Sequence, residues 1–260
     1  MRLKIDVELD YAIDGAYSML LLVEAAAMAD QHIESESLIV TSREPLRAIA
    51  GEDGIGQRCW ALAEGWFQAT YRAVVAIDRT EVALATLPEI APRHLPAEAV
   101  PYLLPSRYCE SDQFEGFINQ TFGSLGGGAL AAALVDWVAD HLSYESGSSN
   151  GTTTALSTFA NRKGVCRDYA HLLVALARAG GIPARCVSAY APDVSPPDFH
   201  AVAELWLDGA WRLVDATGMA TASDLVRIAV GRDATDIAFM TVFGGAMLNY
   251  QQVSVVRLDD

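Results

Sequence analysis

Apolar and polar positions alternate along the N-terminal third of the chain, as they do in half-buried β-strands. Apolar and charged residues take turns from Leu3 to Leu9, and successive side chains of a strand point to opposite faces of its sheet. Further short apolar runs follow as far as Ile77, separated by turn residues such as Asp53-Gly54. The pattern predicts an all-β N-terminal domain over residues 1–86.

A connector is predicted over residues 87–109, because five prolines lie between Leu87 and Pro105. Proline removes a backbone donor and interrupts both helices and sheet ladders. Beyond it the apolar period changes to three and four, which is typical of helices. The predicted helices are Asp112–Phe122, Leu130–Leu142 and Thr152–Ala160.

The C-terminal region, residues 110–260, reads as one catalytic domain with mixed secondary structure. A further helix is predicted over Cys166–Ala179, ended by Gly180-Gly181. Apolar runs after it predict strands over Ala184–Tyr190, His200–Leu207 and Ala210–Asp215.

Composition narrows the class of protein. The chain has 260 residues, of which 52% are hydrophobic and 20% charged, a balance typical of globular proteins. Its 18 basic and 33 acidic residues give a net charge of −15, which repels phosphate backbones and anionic lipids. The longest charge-free stretches are interrupted by Asn, Gln and Gly. We therefore expect neither nucleic acid nor membrane as a partner.

The cysteines and the first residues suggest a compartment. Four cysteines in 260 residues are too sparse for a disulfide scaffold, and none has C-x-x-C spacing. The first ten residues do not show the basic, apolar and small-residue segments of an export signal. A cytoplasmic location is the expectation.

The segment from Gly164 to Arg178 carries the most chemical information. A run of good helix-forming residues begins at Cys166. This places the thiol in the first turn of a helix, where unpaired N–H groups and the helix dipole favour negative charge. Because the thiolate is the nucleophilic form, we expect Cys166 to be an attacking group whose own N–H helps to hold an oxyanion. Cys59 and Cys186 lie in apolar surroundings and are expected to be buried.

A cysteine nucleophile needs a base, and His171 is near it in sequence. Five residues along a helix correspond to a rotation of about 140° around the axis, so His171 is expected to point away from Cys166. A structural role is the simpler interpretation of this histidine.

His200 is the better candidate for the base. Asp208-Gly209 is a strong signal for a two-residue hairpin, and such a hairpin would place Trp206 opposite Trp211. His200 would then lie diagonal to Asp215 on the same face, within side-chain reach. A carboxylate there can accept the imidazole N–H and orient the ring, as in the nucleophile, base and orienter sets of cysteine hydrolases.

The same region resembles the core of bacterial transglutaminase-like cysteine enzymes. The resemblance covers about residues 110–220, and the β-rich start resembles a domain often attached to such cores. Four segments carry it: Gly164-Val-Cys-Arg-Asp-Tyr-Ala-His171, Gly180-Gly-Ile-Pro-Ala-Arg185, Asp198-Phe-His-Ala-Val-Ala-Glu204 and Trp211-Arg-Leu-Val-Asp-Ala-Thr217.

The resemblance implies both a fold and a set of site residues. It places a catalytic triad on Cys166, His200 and Asp215. The fold class expected is α+β: a papain-like, transglutaminase-like core with the cysteine helix packed on an antiparallel β-sheet, preceded by the all-β N-terminal domain.

This chain also departs from the family pattern. Many relatives have Trp two residues after the histidine, where this chain has Val202, and no Trp shortly precedes Cys166 to act as the oxyanion donor of animal transglutaminases. Asn161 is a candidate for the missing donor. Asp168 also matches a family position, although complementing the helix dipole would be a sufficient role for it. Animal members use calcium, but no D-x-[DN]-x-[DN]-G loop is present, so we expect no metal and no cofactor.

The function expected from these residues is acyl transfer on amide bonds of a protein or peptide through a thioester. Hydrolysis, as a protease, isopeptidase or amidase, is favoured because water is always present as an acceptor. Crosslinking of glutamine to an amine is the alternative within the same chemistry. Outside it, a catalytically silent peptide-binding module and a redox or metal site built from the cysteines are the competing interpretations.

Overall fold

Long antiparallel strands from both ends of the chain build the larger of two main sheets. The computed structural model describes residues 1–258. In chain order its strands are β1 (Arg2–Leu21), β2 (Gln31–Val40), β3 (Arg47–Ala50), β4 (Gln57–Ile77), β5 (Ser143–Tyr144), β6 (Lys163–Gly164), β7 (Ala184–Tyr190), β8 (His200–Leu207), β9 (Ala210–Val214), β10 (Val226–Gly231), β11 (Met240–Val242) and β12 (Ala246–Leu258). The helices are α1 (Glu115–Phe122), α2 (Gly127–His141), α3 (Ala155–Asn161), α4 (Cys166–Ala179) and α5 (Ala234–Ile237).

The larger sheet is centred on β1. One side of β1 pairs with β4, which in turn pairs with β2 and β3, and the other side pairs with β11 and β12. The alternation in the sequence matches the two faces of β1. Every second residue from Leu3 to Ile13 is buried, because successive side chains of a strand point to opposite faces of the sheet. The last two strands therefore return to the sheet that the first residues begin. The predicted connector over residues 87–109, between an N-terminal domain and a catalytic domain, stays a prediction.

The smaller main sheet carries the candidate chemistry. Its antiparallel order is β10-β7-β8-β9, and α4 packs against β7 and β8. Every residue of α4 from Asp168 to Arg178 is buried, the polar side chains of Asp168, His171 and Arg178 included. The expected α+β class, with the cysteine helix on an antiparallel sheet and a strand-rich N-terminal region, is confirmed. The hairpin also has the predicted register, with Trp206 opposite Trp211.

The shorter helices differ from their predicted bounds at the N-terminal ends. Residues Ser111–Gln113 form a 3-10 turn, so α1 begins at Glu115 rather than at residue 112. Thr154 caps α3, its Oγ1 accepting from the N–H of Ser157 at 3.4 Å, so this helix begins later than predicted. Capping by a side-chain oxygen decides a helix start more directly than apolar spacing does.

No single helix in residues 1–258 is long and apolar enough to span a bilayer. Helices α1 and α2 reach that length and composition only as a pair, and they are bent by 102° relative to each other.

A buried network of charges joins the two main sheets. Glu204 on β8 accepts from Arg185 Nε at 2.8 Å and from Arg227 Nε at 2.7 Å. The same arginines reach back to the N-terminal region, Arg185 to Asp53 at 2.8 Å and Arg227 to Asp30 at 2.9 Å. Since the Glu204 side chain is 0% exposed, these bonds compensate its removal from water.

Candidate active site

The start of α4 holds Cys166 at the edge of the buried core. Val165, the residue before it, is extended, and its N–H donates to Asp168 Oδ2 at 2.8 Å. This bond satisfies a donor at the helix start and gives the fully buried Asp168 carboxylate a partner. A Cβ on Gly164 would lie 2.5 Å from Asp168 Cβ, so the turn has room only for glycine. The Cys166 thiol remains half-buried and free.

His200 and Asp215 meet on the smaller sheet. His200 opens β8 opposite Ala189 of β7, and Asp215 follows β9 directly. His200 Nε2 lies 2.8 Å from Asp215 Oδ2. A carboxylate that also accepts from the N–H groups of Thr217, at 2.8 Å, and Ala220, at 3.0 Å, acts as an acceptor only. Nε2 therefore donates to it.

Both members of this pair are charged at neutral pH. Burial lowers the pKa of His200, but hydrogen bonds and opposite charge from Asp215 and Cys166 outweigh burial and raise it to about 9. Burial raises the pKa of Asp215, but the His200 ring and the Thr217 donors hold it below its usual value. The site therefore carries an imidazolium and a carboxylate in contact.

The second ring nitrogen of His200 is the one left for Cys166. Nδ1 is buried and no residue in the range 1–258 meets it in full hydrogen-bond geometry. Cys166 nevertheless acts on the ring through its charge and a hydrogen-bond interaction. Catalytic hydrogen bonds are often long before substrate binds. The order of thiol, imidazole and carboxylate that nucleophilic catalysis uses is the one predicted from the sequence, and it stays a prediction.

Tyr144 is a site residue that the sequence did not reveal. The parallel pairing of β5 with β6 sets Tyr144 opposite Gly164, two residues before Cys166. Its hydroxyl interacts with both the thiol and the backbone N–H of Cys166, and burial, followed by the Cys166 charge, raises its pKa to about 12. Tyr144 is thus a protonated donor beside the thiol at neutral pH. A search before Cys166 for any aromatic residue with a polar tip, rather than for Trp alone, would have included it.

The other predicted site residues lie in different settings. Asn161 is the exposed last residue of α3, and no hydrogen bond within residues 1–258 joins it to Cys166. The Asp168 carboxylate is bonded to the Val165 N–H at the start of α4. His171 accepts from the N–H of Ala234 at 3.0 Å, and burial lowers its pKa to about 4. This is the structural role that its helical spacing predicted.

One buried group of side chains has the composition of a metal site. Ligand atoms of Cys109, His171 and Cys186 lie within 4.8 Å of one another. Because His171 Nε2 accepts from Ala234, its proton resides on Nδ1. A metal at Nδ1 would force a proton onto Nε2 against that N–H, and a metal at Nε2 would displace the bond. The donor set does not fit a metal, and we assign none to this group.

Comparisons with known proteins find a family model and several similar chains. Residues 119–216 match the model of the transglutaminase-like superfamily. The solved structure of a candidate cysteine protease from Cytophaga hutchinsonii is 35% identical and aligns with 100% of this chain and 91% of its own, with a TM-score of 0.92. The periplasmic domain of TgpA from Pseudomonas aeruginosa bound to ethylmercury is 16% identical over 80% of this chain and 91% of its own, with a TM-score of 0.41.

An uncharacterised protein of Mycobacterium leprae (strain TN) is 29% identical over 114 residues. The match spans 41% of this chain and 41% of that relative.

Proposed function

Because this chain belongs to the transglutaminase-like superfamily, we propose that it is a cysteine hydrolase that cleaves amide bonds of proteins or peptides through a thioester. The family and the similarity to a candidate cysteine protease support a cysteine-dependent enzyme. The observation that carries the specific proposal is the half-buried Cys166 at a helix start, which acts on the buried His200 ring that Asp215 holds at 2.8 Å.

In the first step the Cys166 thiolate attacks the carbonyl carbon of the amide. A C–S bond forms, and the π electrons of the carbonyl move to its oxygen. The Cys166 N–H and the Tyr144 hydroxyl contact each other beside the thiol, and we propose them as the two donors to this oxygen. Donors fixed before the reaction stabilise an oxyanion without reorganising. We therefore assign Tyr144 as the second oxyanion donor.

Collapse of this intermediate breaks the C–N bond. His200 donates the Nδ1 proton to the departing nitrogen, so that ammonia or an amine leaves and a thioester remains. Water then attacks the thioester, His200 takes a proton from it, and the thiolate is released together with a carboxylic acid. Asp215 keeps its charge throughout and stabilises each imidazolium stage.

Hydrolysis is favoured over transfer to an amine because Cys166 is only half-buried, so that water reaches the thioester. The silent binding module is the weaker alternative. A purely structural role would not require a half-exposed thiol, a charged imidazole and a carboxylate that is saturated with hydrogen bonds at one place.

The test is to incubate the protein with a casein-like glutamine donor and a fluorescent amine, and to follow ammonia, dye incorporation and new peptide ends together. If the protein is a hydrolase, ammonia or new peptide ends should form without incorporation of the fluorescent amine. The signal should disappear in Cys166→Ala and His200→Gln, but persist in His141→Gln, whose histidine is exposed. Dye incorporation as the main product would instead establish a transglutaminase. No product above the level of Cys166→Ala would reject an enzyme of this class.

A further inference from the structure

A groove lies between strand β12 of the larger sheet and the segment that joins β7 to β8 in the smaller one. Its volume is about 380 Å³. One wall is the segment that leads into His200, contributing Ala191, Pro192, Val194, Pro197 and Asp198, and the other wall is residues 251–255 of β12. Its lining thus includes Asp198, which lies two residues before His200.

The shape of the groove fits an extended chain. Five consecutive residues of β12 line it, although successive side chains of a strand point to opposite faces. The groove must then follow the edge of the strand rather than one face. Within residues 1–258, β12 pairs only with β1, so its outer edge offers free backbone donors and acceptors. Such edges bind extended peptides as an added strand.

Asp198 gives the groove a charge next to the reaction centre. Its Oδ1 accepts from the N–H of Phe199 at 2.7 Å and from Gln251 Nε2 at 2.6 Å. These two bonds fix the carboxylate, and no residue in the described part of the chain donates to Oδ2. The residue is exposed, and its charge acts on both Tyr144 and His200.

The other charges along this wall are already neutralised. Asp193 is paired with Arg257 at the far end of the segment, its Oδ1 accepting at 3.0 Å. Asp198 has no cationic partner of its own at hydrogen-bond distance, because both of its donors are neutral. A fixed carboxylate with one free oxygen selects a positively charged group.

We propose that the substrate is an extended peptide segment that adds to the free edge of β12 and places a lysine or arginine side chain on Asp198. This deepens the proposed function, on which it rests, by naming the substrate class. The basic side chain would lie close to the amide that Cys166 attacks, since Asp198 precedes His200 by only two residues.

Binding can be measured without relying on catalysis. Fluorescently labelled eight-residue strand-forming peptides, each with one lysine at a different position, are titrated into Cys166→Ala protein by anisotropy. A matched set carries norleucine, which lacks only the ammonium group. We expect one lysine position to bind about tenfold more tightly than its norleucine match, with the preference falling as salt rises.

The acidic side chain is then tested in the same protein. Adding Asp198→Asn should remove the lysine preference and leave norleucine binding unchanged, whereas Asp140→Asn, an equal change of charge on the exposed face of α2, should alter neither. Equal binding of both peptide sets, or a preference that survives Asp198→Asn, overturns the proposal. Turnover of the same peptides by the unmodified protein tests the proposed function separately, so the two failures are distinguishable.

Discussion

His200 donates from Nε2 to Asp215 Oδ2 across 2.8 Å, and their side chains are 0% and 1% exposed. Asp215 is itself immobilised, because Thr217 and Ala220 donate to it from the backbone. The carboxylate is therefore positioned by the turn after β9, and the imidazole is positioned by the carboxylate. This order of dependence determines what each substitution should do.

Asp215→Asn should slow the reaction strongly while leaving the fold intact. The amide keeps the shape but loses the charge that stabilises the imidazolium, so the pKa of His200 falls. We expect kcat to drop on the order of a hundredfold or more, and alkylation of Cys166 by iodoacetamide at pH 7 to slow. Asp140→Asn serves as the control for charge. Unchanged alkylation in Asp215→Asn would show that the carboxylate does not act on the thiol through His200.

The charged state of His200 should appear in the pH dependence of stability. Its pKa of about 9 in the folded protein exceeds the value of about 6.5 expected when unfolded. The stabilisation is therefore fully present below pH 6.5 and is lost as pH rises through 9. Urea unfolding at pH 6 and pH 9.5 should show the advantage of wild type over His200→Gln shrinking by roughly 2–4 kcal/mol. An advantage that stays constant, or grows with pH, would mean that the histidine is neutral.

Tyr144→Phe should separate oxyanion stabilisation from thiol activation. Removing the hydroxyl takes away one donor to the oxyanion, which typically costs about 10²–10³ in kcat. Alkylation of Cys166 forms no oxyanion, so its rate should change far less than kcat does, and only through the loss of the contact between the Tyr144 hydroxyl and the thiol. Tyr169→Phe, which loses a hydroxyl bonded to the Leu142 carbonyl at 2.9 Å, is the matched control. A parallel loss in both measurements would assign Tyr144 to activation or packing instead.

Local signals in the sequence were sufficient for the elements around the site. The helix that begins at Cys166, the strands of the hairpin and the pairing of Trp206 with Trp211 follow from caps, turns and alternation. That pairing register fixes which residues share a face, so the approach of His200 to Asp215 also follows from the turn at Asp208-Gly209.

Contacts between distant segments could not be predicted in this way. Tyr144 reaches Cys166 through a two-residue parallel bridge, which leaves no periodic signal. Strand β12 pairs with β1, so residues about 250 positions apart in the chain lie side by side. The alternation of apolar and polar residues in either strand does not specify which strand it pairs with. Such pairings depend on the whole chain rather than on local propensity.

Gly164→Ala should damage both the fold and the activity. The new methyl group would lie 2.5 Å from Asp168 Cβ, so the turn before Cys166 must shift. We expect a loss of about 1–3 kcal/mol in the free energy of unfolding together with reduced alkylation of Cys166. Gly116→Ala is the control, since α1 has open space at that position, and it should stabilise by about 0.5–1 kcal/mol. If Gly164→Ala, like Gly116→Ala, caused no loss of stability or of Cys166 alkylation, the turn before Cys166 would accommodate the methyl group without cost.

Glu204→Gln should destabilise the joint between the two sheets. The substitution leaves Arg185 and Arg227 buried, with 3% and 5% of their side chains exposed, beside an uncharged partner. Asp53 and Asp30 still pair with them, so the arginines stay charged but are compensated incompletely. Removing one partner of a buried pair typically costs about 3–5 kcal/mol, to be measured by urea unfolding. Glu64→Gln, at an exposed pair with Arg43, should cost less than about 1 kcal/mol. Equal losses in the two variants would mean that solvent reaches Glu204 and that the network does not hold the sheets together.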